Sequence, residues 1–303
     1  MEINYLTYQQ IDKVKWDACI DKAPNGLIYA SSFYLDSMAK NWDALVLNDY
    51  EVVMPLTWNK KYGIHYLYQP AFTACLGVFG KLVTSNLVND FLRAIPAKFK
   101  YWDIYFNPGN LFSLVDFNLY QRMNYVLNLN DSYDNLYKAY RDNVKRNIKK
   151  SEQFQLTINK NIPVAAVIEL AREQAGNFSD MVDKDFIQFK KLFQLLYNAE
   201  KATAYGVYTK ANELMASAVF FYSHNRAYYI MVGNHPNGKT LGASHALINA
   251  FIKDHAGENI LLDFEGSDIS SLAFFYSSFG AVEERYSAIK LNRLPAPIKW
   301  LKK

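Results

Sequence analysis

The sequence predicts an α/β fold of mixed, largely antiparallel sheets flanked by helices, arranged as two domains in tandem. Three observations predict it. Half of the 303 residues are hydrophobic and only 20% are charged, a globular composition long enough for two cores. Strand-length runs are joined both by short hairpins and by β-α-β crossovers, which makes the sheets mixed. The order hairpin, strand, helix, strand, short segment, strand occurs in each half, without clear identity between the halves. The expected domains are residues 1–129 and 130–303.

The remaining composition narrows the class. The 23 tyrosines and 20 phenylalanines suit strand-rich cores and aromatic-lined clefts. A net charge of +4 admits an anionic ligand without calling for DNA. Cys19 and Cys75 are the only cysteines and lie far apart, which favours reduced thiols in a cytoplasm. His224, His235, His245 and His255 have no carboxylate at zinc-ligand spacing, so no metal is expected. No run nears the ~20 apolar residues of a membrane span, and MEINYLTYQQIDK has no apolar signal region.

In the first half, 7–23 and 31–42 read as helices, the second with Ser31 or Ser32 as cap. Strands 44–48 and 51–57 flank a short Asn48-Asp49-Tyr50 turn, a hairpin signal. A strand at 64–68, a loop from Pro70 to Gly80, a helix at 85–99, strands at 102–106 and 125–129 complete it. Between two strands, Trp58-Asn59-Lys60-Lys61-Tyr62-Gly63 places two cations beside aromatic rings. A solvated basic hairpin tip gives the same pattern. The loop 72–81 carries one charge, Lys81, which a cleft could receive.

At the joint, 130–153 reads as one helix. Tyr133, Leu136, Tyr137, Tyr140, Val144 and Ile148 form its apolar stripe, with Asp131 and Ser132 at its start. Its second half is dense in cations: Arg141, Lys145 and Lys149 lie four apart on one face, Arg146 and Lys150 on the next. A solvated face is the plain reading; phosphate contact is the other, with Arg141 and Arg146 the better forks. Helices at 163–176 and 185–200 follow.

The chain is organised around 225–257. A buried strand, 227–232, meets the turn residues Gly233 to Gly238, and a helix begins near Thr240, with Leu241, Leu247, Ile248, Phe251 and Ile252 at helical spacing. Small residues Gly242, Ala243 and Ser244 at that start offer free amides to a pyrophosphate, although an ordinary strand-turn-helix looks the same. Strands 202–209 and 214–222 precede it. A strand at 259–264, a short helix at 269–278 and a strand at 282–291 follow.

With this order of elements, the chain resembles the Gcn5-related N-acetyltransferase superfamily, and more closely its Fem-like branch of two tandem acetyltransferase-like domains. The resemblance covers nearly the whole chain. Lys239-Thr240-Leu241-Gly242-Ala243-Ser244 is similar to the degenerate pattern of a basic residue before Gly-x-Gly or Gly-x-Ala, with Ser244 at the last position. The run from Arg141 resembles the Arg-x-x-x-Lys-Arg-x-Ile helix that opens the second Fem-like domain. The resemblance implies an N-acyltransferase with its donor on the second domain and an amine acceptor, small or peptidyl, in the cleft between halves. The donor would be acyl-CoA, acetyl-CoA or longer, held by Lys239 and Leu241 to Ser244, with the Val232 and Gly233 amides polarising the thioester carbonyl. Lys60, Lys61, Tyr62, Arg141, Lys145 and Arg146 would meet the acceptor or its phosphates.

Acyl transfer needs a base for the amine, a donor to the oxyanion and a proton for the departing thiolate. Tyr276 stands four residues before Gly280, the spacing of the superfamily's proton-donating Tyr. Fem-like proteins carry Phe-Lys where this chain has Phe275-Tyr276, which favours acyl-CoA over aminoacyl-tRNA. Asp263 and Glu265 alternate at a strand end similar to the family's Asp-Phe-x-Gly; Glu265 is the candidate base, and Asp263 would bind amides of the next turn. The rival readings are a Fem-like ligase that uses charged tRNA on a peptidoglycan precursor, and a binding protein that keeps the fold without the chemistry. A membrane-touching role is open for the tail from Pro295 to Lys303.

Overall fold

The structure, a computed structural model, describes residues 2–175, 182–266, 268–295 and 299. Gly176 and most of the tail after Pro295 lie outside them, as does Ser267. The described residues form two compact units, 1–123 with 285–303, and 124–284. These bounds are not the 129/130 division. Residues 124–129 belong with the second unit, and the chain from Arg285 returns to the first.

Unit 1 carries β1 (Ile3–Leu6), β2 (Asn41–Leu47), β3 (Val52–Lys61), β4 (Ile64–Leu67), a two-residue β5 (Phe79–Gly80) and β6 (Phe99–Tyr105). Its helices are α1 (Lys13–Lys22), α2 (Ser32–Met38) and α3 (Ser85–Ala94). The expected 7–23 helix starts late because Asp12 caps it, accepting from the amides of Val14 and Lys15 at 3.0 and 3.1 Å. The expected 31–42 helix stops at Met38, and Asn41 already pairs with Trp58 in β2. The 85–99 helix stops at Ala94, before Pro96; Phe99 instead opens β6. α3 buries Val88, Phe91 and Leu92 against Leu45, Leu47 and Met54 of the sheet.

Unit 2 carries α4 (Tyr133–Lys138), α5 (Asp142–Gln153), β8 (Thr157–Lys160), α6 (Val164–Ala175), α7 (Asp183–Asn198), β9 (Ala202–Tyr208), β10 (Leu214–Ser223) and β11 (Arg226–Asn234). Then come α8 (Gly238–Leu241), α9 (Ala243–His255), β12 (Leu261–Asp263) and α10 (Ser270–Ser277). Two long strands, β7 (Tyr120–Asn128) and β13 (Val282–Asn292), divide between the units. The short strands β1, β5 and β8 carried too few residues to show a period in the sequence.

Each unit repeats one topology. In unit 1 the order is β1-β2-β3-β4-β6-β13, and in unit 2 it is β8-β9-β10-β11-β12-β7. Neighbours are antiparallel except for β4 with β6 and β11 with β12, which are parallel and need a helix between them. Two helices separate the first two strands of each set, α1 and α2 or α6 and α7.

In unit 2, α9 lays Leu247, Phe251 and Ile252 over Ala216, Ala218 and Phe220 of β10. α6 covers the other face so closely that a Cβ on Gly233 would lie 2.7 Å from the Ala171 amide nitrogen. Gly233, expected in the turn, lies inside β11, one residue before its end.

The expected 130–153 helix is broken. Arg141 is extended at φ −68°, ψ 156°, and its amide donates to the Ser278 carbonyl at 2.9 Å rather than to a helical carbonyl. Leu136, Tyr140, Val144 and Ile148 still reach one core. Arg141, however, caps α5 and does not continue the face of Lys145 and Lys149.

Beneath the parallel pair lies an ion network. Arg226 donates through Nη1 to Asp263 Oδ2 at 2.7 Å and through Nη2 to Glu284 Oε1 at 2.6 Å. Asn124 Nδ2 also donates to Asp263, at 2.8 Å. The Arg226, Asp263 and Glu284 side chains are 15%, 6% and 19% exposed. Arg226→Leu strands two mostly buried carboxylates and is expected to lower stability by about 3–5 kcal/mol, read as a lower urea midpoint.

Candidate functional site

β11 and β12 pair over only three positions, from Arg226↔Leu261 to Tyr228↔Asp263. Past that point they part: Phe264 donates its amide to Tyr125, and β11 runs on to Asn234 with β10 alone. A parallel pair that separates leaves backbone groups of one strand open. β11 also carries a bulge, since Val219 faces Met231 while Phe220 faces Tyr229, so Ile230 has no partner. A bulge re-aims side chains and commonly borders a site; it was not legible in the run of apolar residues.

Unit 1 has the same parallel pair, and past it the chain occupies the edge of β6, the counterpart of β12. Gln69 accepts from the Tyr105 amide at 3.2 Å, Leu76 bridges to Phe106, and Phe72 takes the Tyr34 hydroxyl on its carbonyl. The loop 72–81 is thus pinned along much of its length.

The amides at the opening sort by strand alternation. His235 donates its amide to Met215 of β10 at 3.0 Å, and Asn234 donates the other way, to Gln174 Oε1 at 2.7 Å. Two residues earlier, Gly233 therefore faces β10 and Val232 faces the open edge. Of the two amides expected to polarise a carbonyl, Gly233 is turned toward β10 and Val232 away from it.

At the start of the helix, the amides of Leu241 and Gly242 are used locally, donating to Asn237 and Lys239 at 3.3 Å each. Of the expected cradle, Ala243 and Ser244 keep their amides ahead of the first α9 bond, made by Ala246 to Gly242. Ser244 Oγ donates to Asn234 Oδ1 at 2.5 Å, tying helix to strand. Gly242 has a structural reason of its own. It sits at φ +75° between α8 and α9, and a Cβ there would lie 2.4 Å from the Asn147 carbonyl oxygen of α5. Lys239 is exposed beside it.

Tyr276 faces the parting strands. Its ring stacks on Phe264 with centroids 4.6 Å apart and meets Tyr229 edge-on at 6.4 Å. The residue is 7% exposed, and among the described residues its hydroxyl has no hydrogen-bond partner. Burial, and then the Glu265 carboxylate, pushes the phenol up to about 12, so it holds its proton at neutral pH.

Glu265 is half-buried and left-handed at φ +61°. β12 has ended at Asp263, so the expected alternation of Asp263 and Glu265 on one strand face does not hold. Asp263 Oδ1 accepts the Glu265 amide at 2.8 Å, the turn-binding role expected of it.

The cations divide. Arg141 lies over the Phe274 ring at 5.1 Å, and Lys145 donates to the Lys138 carbonyl at 3.2 Å. Arg146 is exposed on α5. Lys60 and Lys61 end β3 in unit 1, where Tyr62, 90% exposed and left-handed, forms the hairpin tip beneath Lys61. Among the described residues no three His, Cys, Asp or Glu side chains group to hold a metal, and no helix is long and apolar enough to cross a membrane.

One packing feature beside this region was not anticipated. His245, on the first turn of α9, packs edge-on against Phe275 at 4.9 Å and lies 5.8 Å from Phe279. Burial lowers its imidazole to about 4. In the sequence it was visible only as a histidine without metal partners.

No family model matches the sequence, and no curated protein does. Solved structures do. FemX superposes with a TM-score of 0.66 at 12% identity, covering 99% of each chain. A protein of unknown function from Bacteroides thetaiotaomicron VPI-5482 gives 0.59 at 12%, covering 96% of this chain and 100% of that one. The C-terminal domain assigned to a lysylphosphatidylglycerol synthetase of Agrobacterium fabrum gives 0.57 at 10%, over 96% and 94%. The chain therefore has the acetyltransferase-like fold of Fem-type proteins.

Two outcomes check the site. Gly242→Ala must strain a left-handed backbone, by about 1–2 kcal/mol, besides displacing Asn147; a lower urea midpoint is expected. For His245, the unfolded chain takes up a proton near pH 6.5 and the folded chain near 4. Its contribution is complete above pH 6.5 and is lost as pH falls toward 4, by at most about 3 kcal/mol. His245→Leu should flatten stability across that window in urea titrations at stepped pH.

Proposed function

We propose that the protein is an acyltransferase that makes an amide from an activated acyl donor and an amine. The observation that carries this reading is the parting of β11 and β12, with a protonated, unpartnered Tyr276 hydroxyl beside the unpaired edge. A thioester carbonyl laid along that edge receives the Val232 amide on its oxygen. The amine nitrogen attacks the carbonyl carbon, the carbon–sulfur bond breaks, and Tyr276 gives its proton to the thiolate. To Glu265 we assign the proton lost by the amine.

The donor best suited to these residues is acyl-CoA, whose thioester supplies the activated acyl group. Ala243 and Ser244 amides with Lys239 would hold its pyrophosphate, and Leu241 and Gly242 shape the turn that presents them. Lys60, Lys61 and Tyr62 are assigned to the acceptor. An aminoacyl-tRNA donor is the second reading, favoured by the exposed Arg146 and Lys149 of α5, with Arg141 and Lys145 beside them.

Calorimetric titration with CoA and acetyl-CoA tests the first reading. Binding is expected, weakened about tenfold or more by Lys239→Glu, a cleaner change than any at Gly242. Tyr276→Phe should leave CoA affinity unchanged while turnover falls about 100-fold. Absence of CoA binding, with a transfer that RNase abolishes, would move the donor to tRNA.

A further inference from the structure

Where β11 and β12 part, the space at the apex is already occupied. Their last pair is Tyr228↔Asp263, so Tyr229 and Phe264 are the first residues beyond it on the two strands. Both side chains belong to the core that α9 covers, and their rings meet edge-on across the parting with centroids 6.0 Å apart. Tyr276 closes the group, stacked on Phe264 and edge-on to Tyr229. Behind them, the Phe220 ring of β10 lies 5.3 Å from that of Tyr229. All four residues are buried. On the opposite face of β11, Met231 is buried as well, two residues from the Gly233 that α6 covers. Rings from both strands thus plug the wedge, and side chains packed this closely yield little.

The direction of the donor decides what meets that plug. With its pyrophosphate at the Ala243 and Ser244 amides and its thioester at Val232, acyl-CoA runs along β11 from the strand's far end. Its acyl group then points toward Tyr228↔Asp263, where paired strands stand about 4.8 Å apart and leave no passage for hydrocarbon. Val232 is three residues from Tyr229, about 10 Å of strand, and the Tyr229 and Phe264 rings fill the end of that stretch. An acetyl or similarly short group fits in what remains. A long chain must displace the rings or turn back into water, and either course forfeits the burial that would favour it.

Resting on the acyl-CoA reading, we propose that Tyr229 and Phe264 set the acyl length of the donor, admitting short acyl groups and excluding long ones. They act at the end of the acyl group and take no part in the proton transfers. Tyr276 shares the plug through its ring and keeps its hydroxyl for the departing thiolate.

The test titrates the full chain with CoA, acetyl-CoA and dodecanoyl-CoA in a calorimeter. Acetyl-CoA should bind about tenfold or more tightly than dodecanoyl-CoA. That ratio is read on the unaltered protein, so it decides even where a core substitution unfolds the chain. Phe264→Leu, which trades a ring for a smaller aliphatic group, should cut the ratio severalfold, and so should Tyr229→Leu. CoA has no acyl group to meet the rings and should bind all three proteins alike, whereas a general loosening of the fold would weaken every ligand together. Dodecanoyl-CoA binding as tightly as acetyl-CoA, or a ratio that neither substitution moves, would overturn the chain-length limit and leave the donor reading standing. Failure of CoA and acetyl-CoA to bind at all removes the donor reading, and the chain-length limit falls with it.

Discussion

Arg226 clamps the second unit at the point where its two parallel strands are about to separate. Its guanidinium reaches Asp263 at the end of β12 and Glu284 near the start of β13, while Asn124 of β7 completes the carboxylate's shell. A buried guanidinium is tolerated only when such partners are in place. The same contacts join strands close in register at Tyr228↔Asp263, so the divergence beyond has a firm base. The open edge of β11, the ring of Tyr276 and the turn at Glu265 all take their positions from it.

Keeping that opening requires the far end to be held as well. Gly242 permits α5 to approach the start of α9 to van der Waals limits, and Gly233 permits α6 to do the same on the other face of β11. Ser244 and Gln174 then fasten Asn234 from two directions. β11 is therefore gripped at both ends while its middle edge goes unpaired. Such a preorganised gap suits a ligand that contributes the missing backbone partners. Unit 1 folds on the same strand order, and there Leu76 bridges to Phe106 just past β6, the counterpart of β12.

The local geometry of this region was legible where its signals are local. The strand-turn-helix that ends in Ser244 and the turn-binding Asp263 both follow from neighbouring residues. The errors came where a distant group competed with a local one. Arg141 leaves the helix because the Ser278 carbonyl takes its amide. Glu265 leaves the strand because Asp263 turns the backbone beneath it. Gly233 faces β10 because hydrogen bonds alternate along a strand, a direction that composition does not encode.

By itself, the sequence determined the fold class and the repeated order of elements, since these depend on periodicity and nearest-neighbour sterics. Only the tertiary structure decided which amides are free, where β11 bulges, and that His245 packs half-buried against Phe275. Those outcomes depend on which partners arrive from tens of residues away. Hydrogen bonding and desolvation are settled by that company and not by the residue's own identity.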